Sequence, residues 1–469
     1  MPLPDSAVPV RMRRIAVVAP QGRLRDALVS LARDGNVELA GPLAPLAGPE
    51  IDALRRLEQR SRASRPAPRV SLAAPDLEAL ERAGDWSTIA GEAEVARREG
   101  TAIRHGSVAA VVGWTSEGEI EPLRTALAPL GGALVELEPP RWIEPPTLLH
   151  PLRAARAFRP LIDVYGAARY ADLDPTLFAA VTFVLMFGIM FGDVGHGLVL
   201  VAAALVVRGS RRPWLAPFRA LWPLPAAAGL SAAFFGLLYG EAFGPTGLVP
   251  TLWLSPLDDP VRLLVVAIAL GGVLLVASYV IGTVNRAREA GALVAVLAPS
   301  GVAGLLLLLA GAVALLGWYS NVRGLLLVGL ALAVLAVALL TLGFLREAGH
   351  GPVAIAETVV EVFDAVVRTA GNTVSFARLA AFGLVHAAIG QAIVDGAGAL
   401  RGSPLGWTAA AVLFVAGNVV AFTLEALVAG VQALRLEYYE LFSRVFAGEG
   451  RPFQPWRLSV IDDQSVSAP

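Results

Sequence analysis

From Pro175 to Ala433, apolar segments follow one another almost without pause, and most approach the roughly 20 residues that a straight helix needs to cross a bilayer. With 55% hydrophobic and only 16% charged residues, no ordinary soluble core could absorb them, so the chain reads as a polytopic membrane protein. Eight segments are predicted: Thr176 to Phe191, Gly195 to Val207, Leu221 to Tyr239, Val261 to Val284, Ala292 to Trp318, Leu325 to Phe344, Ile355 to Ile393 and Trp407 to Ala433, the last two long and tilted. Thr176 to Val207 could instead be one tilted helix, but Gly188, Gly192, Gly195 and Gly197 crowd its middle around Asp193 and suit a helical hairpin better.

Loop charge gives the orientation, because arginine accumulates on the cytoplasmic side of short loops. Arg208, Arg211, Arg212 and Arg219 follow the second segment, Arg286 and Arg288 the fourth, and Arg346 the sixth, whereas the intervening loops are nearly bare. This alternation places both termini in the cytoplasm and requires an even count. Residues 1–160 read as a small α/β cytoplasmic domain. It holds two strand-helix-strand units, Arg14 to Leu43 and Ser107 to Glu138, joined by charged helical segments, Pro49 to Arg62 and Pro75 to Glu99. A linker (161–175), the membrane domain (176–450) and a cytoplasmic tail (451–469) complete a fold that is mainly α.

Several chemistries are excluded outright. There is no cysteine, hence no disulfide or thiolate site, and every basic residue is arginine, so neither a P-loop lysine nor a lysine Schiff base can exist. A net charge of -1 leaves no footprint for nucleic acid. No cofactor, metal or nucleotide site is read from the sequence.

The informative residues are ionisable groups inside apolar helices, which are costly there and are functional candidates by default. Arg378 lies in the seventh segment with Asp364 about 21 Å towards the cytoplasm and His386 about 12 Å outward, on the expectation of one continuous helix. Glu425, Gln432 and Arg435 form a second set on the eighth, and Asp193 with His196 a third; Glu241 ends the third segment and Ser375 precedes Arg378. Each has a plainer reading: Asp193 as a helix cap, Glu241 as an interfacial group, His386 as a satisfied core histidine, Arg378 and Arg435 as snorkelling side chains. Their number on three segments favours an ion or proton pathway.

These residues resemble a known family. MFGIMFGDVGHG, FFGLLYGEAFG, TVSFARLAAFGLVHAAI and VQALRLEYYELFSRVFAGEGRPFQPW are similar to motifs of the membrane stator subunit, subunit a or subunit I, of V/A-type rotary ATPases. The resemblance runs from DLDPT at Asp172 to Trp456. It implies that Arg378 is the arginine that deprotonates the rotor-ring carboxylates and Arg435 a second functional arginine. It also implies proton half-channel roles for Asp364, His386, Glu425, Gln432 and Asp193, with His196, Glu241 and Ser375 nearby. The implied partners are a proteolipid ring, peripheral-stalk subunits, central-stalk and catalytic subunits of the soluble sector, and membrane lipid. Family members carry a longer helical rod between their two α/β lobes than the stretch between Leu43 and Ser107 allows. The arginine-only, alanine-rich usage points to a prokaryotic plasma membrane. A secondary transporter and a non-transporting membrane anchor or assembly protein remain the competing readings; the first should show inverted repeats with broken helices.

Overall fold

The structure is a computed structural model and describes residues 8–41, 49–53, 67–140, 142–149, 155–349, 351–446 and 448–461. It is mainly helical with a small sheet near the N-terminus. Two compact units account for the chain: residues 9–150 with 450–469, and residues 151–449 with the first eight.

In the first unit, short apolar runs form β1 (Met12–Pro20) and β5 (Val108–Ser116), which pair antiparallel along their whole length. β1 also pairs antiparallel with β6 (Ala133–Leu137), and β2 (Glu38–Leu39) and β4 (Ile103–His105) pair with β5. The order β2-β5-β1-β6 interleaves the two strand-helix-strand units predicted from the sequence, so each is a split β-α-β whose middle place is taken by a strand of the other. The crossover helices α1 (Leu24–Asp34) and α4 (Ile120–Leu127) bury Leu28, Leu31, Leu123 and Leu127 against Ile15, Val17 and Val111 of the sheet. α1 stops at Gly35, whose left-handed φ of 63° ends the helix without strain. Of the intervening helical segments, α2 (Leu77–Ala83) and α3 (Trp86–Gly100) are present; Pro49 to Arg62 lies largely outside the described residues.

Residues read as a tail take part in this unit. β7 (Ser459–Ile461) pairs in parallel with β3 (Arg69–Ser71), Trp456 and Leu458 join the core, and the Trp456 indole donates to Glu94 at 3.0 Å. β3 lies so close to α3 that a Cβ at Gly91 would stand 1.8 Å from the Arg69 carbonyl oxygen.

Among the described residues of the second unit, five helical stretches are long and apolar enough to cross a membrane: Pro260–Ala290, Ala292–Tyr319, Arg323–Ala348, Pro352–Ala399 and Pro404–Val445. A sixth arises if Pro213–Leu221 and Pro223–Tyr239, bent by 60°, are one span. The first two predicted segments are shorter. α6 (Thr176–Met190) and α7 (Val194–Gly209) have 15 and 16 residues. At ~1.5 Å per residue each reaches about 22 to 24 Å, against roughly 30 Å of hydrocarbon.

They form the hairpin rather than one tilted helix. Along α8 (Pro223–Tyr239), Gly188 and Gly192 of α6 meet Ser231 and Tyr239, while Gly197 of α7 meets Gly229 and Ala233 and the Asp193–Val194 corner meets Gly236. α6 therefore runs parallel and α7 antiparallel to α8. Side chains larger than hydrogen cannot occupy these crossings: a Cβ on Gly236 would lie 2.3 Å from the Val194 nitrogen. α11 (Val302–Tyr319) and α12 (Arg323–Ala348), which follow α9 (Pro260–Ala290) and the short α10 (Ala292–Leu297), form a second hairpin in which Gly317 admits Leu326 and Gly329 admits Ala314.

The seventh segment is one helical stretch with a local irregularity at a single residue. α13 (Pro352–Ser375) and α14 (Ala377–Ala399) meet at Phe376, where the amide of Leu379 bonds back to the Phe376 carbonyl three residues earlier. Phe376 is fully buried because Gly271 of α9 leaves room for its ring. α15 (Pro404–Leu436) runs into a π-helical turn, Glu437–Phe442, that turns Glu437 and Glu440 inward.

Just before α6, the buried Asp172 accepts from the Arg169 amide at 3.0 Å. Burial pushes its carboxyl up to about 6; the Arg169 amide, Arg169 and Arg286 oppose this and Glu289 adds to it. A carboxyl raised in the folded state binds its proton there more readily than in the unfolded chain. The stabilisation from protonation is therefore fully present below the ordinary value of 3.8 and is lost as pH rises through about 6. Asp172→Asn keeps the acceptor without the charge. It is expected to stabilise the detergent-purified chain by on the order of 1 to 3 kcal/mol near neutral pH and to have no effect near pH ~4. A thermal-unfolding difference independent of pH would contradict this.

Candidate functional site

Two polar clusters occupy the apolar interior of the second unit, a little over two turns (~12 Å) apart along α14. The first surrounds Arg378, placed one residue past the start of α14 by the irregularity at Phe376. Its Nη1 is buried and has no hydrogen-bond partner among the described residues. Glu440, on the π-helical turn, is buried, lies near Ser375, and is within electrostatic reach of Arg378, Arg435 and Arg444. Arg444 donates to the Glu440 carbonyl at 2.5 Å and stacks over Tyr279 at 5.0 Å. One helical turn before Glu440 sits Glu437, fully buried, with both carboxylate oxygens 2.7 Å from the Thr182 hydroxyl.

The second cluster gathers four chain segments around His386, which is buried to 5% exposure. Its Nδ1 is hydrogen-bonded to Glu425 of α15, and its Nε2 faces Glu241 Oε2 at 3.9 Å. The His196 ring stands 5.7 Å from that of His386, held between Phe191, stacked at 16°, and Phe243, edge-on at 88°. Asp193, fully buried, caps α7: its Oδ1 accepts from the amides of His196 (2.8 Å) and Phe243 (3.0 Å), and its Oδ2 from Gly244 (2.7 Å). These bonds pin a loop in which Phe243 adopts φ 53°, a conformation that costs a non-glycine residue free energy and persists only when fixed from outside. Gly244 in turn rests on Gly390, one turn beyond His386 in α14, which carries Glu241 to the histidine.

The sequence-predicted residues thus divide. His386, Glu425, Glu241, His196 and Asp193 come together; Arg378, Ser375 and Arg435 share Glu440; Gln432 is half-buried with its Oε1 unpartnered. Asp364 stands apart from Arg378, as its place 14 residues earlier on the same helical stretch requires. It is half-exposed and pairs with Arg368 one turn along α13. Glu437 and Glu440 were missed because an interfacial helix end ordinarily exposes its carboxylates, and only a π turn, invisible to residue spacing, directs both inward.

A model of the V-type ATPase 116 kDa subunit family matches residues 108–246, a stretch that includes the Asp193 hairpin and Glu241. The subunit I protein of the A-type ATP synthase of Thermococcus kodakarensis is 28% identical over 373 residues, 74% of this chain and 54% of that protein. The chain is similar to the subunit I and subunit a proteins of A-type and V-type ATPases. The corresponding protein of Archaeoglobus fulgidus is 27% identical over 379 residues, 67% of this chain and 53% of its own length. Human V-type proton ATPase 116 kDa subunit a 3 is 35% identical over 120 residues, 23% of this chain and 14% of its own. The chain spans about half the length of the subunit I proteins it matches. Together with the apolar helices, this relationship describes a multi-pass membrane protein.

Proposed function

We propose that the chain is the membrane stator of a V/A-type rotary ATPase or ATP synthase in a prokaryotic plasma membrane, without a nucleotide site of its own. The main support is Arg378, an obligate cation in an apolar helix whose Nη1 is buried and unpartnered. A positive charge left without a protein counter-charge in contact is a receptor for one that arrives from elsewhere. A carboxylate on a passing rotor helix is neutral in lipid, because an unpaired charge there is prohibitive. On reaching Arg378 its ionised form is stabilised and its proton is released. Arginine suits this post because it does not give up its own proton and so does not conduct.

The two clusters then serve as the ends of two half-channels. His386, Glu425 and Glu241, with Gln432, carry protons on the outer side, and Asp193 and His196 hold their geometry. Asp364, Glu437 and Glu440 line the cytoplasmic approach, with Ser375 and Arg435 at its inner end. The partners are a proteolipid ring, the stalk subunits and the catalytic sector. All eight apolar segments traverse or enter the membrane, the short α6–α7 hairpin included, and both termini are cytoplasmic.

One pair of tagged variants tests both parts of this reading. Ser210→Cys and Asp258→Cys, in a chain with no natural cysteine, are expected to label only from the cytoplasmic and only from the outer face respectively. The same purified chains are expected to bring down a proteolipid ring and soluble ATPase subunits. Purification alone, as for a secondary transporter, or partners without a ring, as for an anchor, would refute the stator assignment.

A further inference from the structure

We infer that the His386 cluster is a binding site for a divalent transition-metal ion of the zinc class, built from Asp193, His196, Glu241 and His386. One ligand atom from each of Asp193, His196 and His386 lies within 4.8 Å of the other two, and all three residues are buried. The free acceptor capacity of these groups converges. Neither ring nitrogen of His196 has a hydrogen-bond partner among the described residues, although its side chain is 5% exposed; Asn418 approaches the ring without meeting hydrogen-bond geometry. His386 Nε2 and Glu241 Oε2 are also buried and unpartnered. Four orphaned polar atoms in an apolar interior are an expensive arrangement unless something accepts them.

The separations suit an ion better than direct bonds. His386 Nε2 and Glu241 Oε2 stand 3.9 Å apart, as do His196 Nδ1 and Asp193 Oδ1. That is too far for hydrogen bonds, but an ion bonded at about 2.0 to 2.2 Å to each partner fits such a gap. Outer contacts fix the ligands as metal sites usually require. Glu425 takes His386 Nδ1, which leaves Nε2 as the lone-pair nitrogen, and aromatic rings hold His196. Three amide bonds fix Asp193 and leave one of about four lone-pair positions open. Two imidazoles and two carboxylates without thiolate favour zinc, cobalt or nickel over magnesium or calcium.

An ion held here would occupy His386 Nε2 and Glu241, which the proposed outer half-channel also uses, and would block that route while bound; the site is therefore tested by binding, apart from proton flux, to the full-length purified chain after chelation. Titration with cobalt(II) is expected to give the visible absorption of a four-coordinate nitrogen-oxygen site, and calorimetry with zinc(II) a stoichiometry of one. His196→Asn should abolish the cobalt spectrum. Glu425→Gln, which alters only the outer contact, should weaken zinc binding by about 10- to 100-fold. His105→Asn, in the other unit, should leave both unchanged, and unfolding temperatures without metal identify variants that merely misfold. Absence of the cobalt spectrum in the natural sequence, or its persistence in a folded His196→Asn, would overturn the assignment.

Discussion

Arg378→Ala is expected to reduce ATP-driven proton uptake by reconstituted complexes to background while the complex still assembles. Its guanidinium makes no salt bridge among the described residues, and the buried Glu440 within its electrostatic reach keeps Arg435 and Arg444, so its removal strands no charge and gives little reason for misfolding. The functional loss should be near total, because no other group in the apolar stretch of α14 up to His386 carries a permanent charge. Arg378→Lys is expected to recover only a small part of the flux. A lysine charge is a point source on a flexible stem and can lose its proton in an apolar setting, which would open a leak between the half-channels. Proton uptake by Arg378→Ala at the natural rate would end the stator proposal, whatever the complex co-purifies with.

The second large effect is expected at the His386–Glu425 pair. If the two act as one proton carrier, His386→Ala and Glu425→Ala should each lower proton flux by on the order of 10²-fold, and the double variant should be no worse than the poorer single. Groups that function as a unit are non-additive in this way, whereas independent sites multiply. The geometry gives the reason: Glu425 holds the proton on His386 Nδ1 and thereby decides which nitrogen is free to exchange. Flux in proteoliposomes, normalised to assembled complex, measures the cycle. Multiplicative losses would separate the two residues and remove the pair from the pathway. Asp193→Asn belongs to a different class, since its carboxylate is engaged with three amides and its loss should first loosen the Phe243 turn.

Residue pattern alone was sufficient where one local periodicity decided the outcome. Short apolar runs marked β1 and β5, the amphipathic spacing of Leu24, Leu28 and Leu31 marked α1, and uninterrupted apolar length marked the spans from α9 onward. It was insufficient where the backbone leaves the regular α-helix. Glu437 and Glu440 face inward on a π-helical turn that residue spacing does not mark, the first beside Thr182 and the second within reach of Arg378. The shortness of α6 and α7 was legible in the predicted bounds, whereas the packing of the Gly192–Asp193 corner against α8 was not.

The sequence determined that this chain lies in a membrane, that it carries a few ionisable groups there, and which residues those are. These are one-dimensional properties, set by segment length and by the cost of charge in hydrocarbon. Tertiary structure decided how the groups are shared: Glu241 and His386 lie far apart in the chain yet face each other at 3.9 Å, and Glu440 reaches the neighbourhood of Arg378 only through a π turn. Glycines at the helix crossings let backbones approach until such groups meet. No spacing rule encodes those meetings, because they arise from packing between segments.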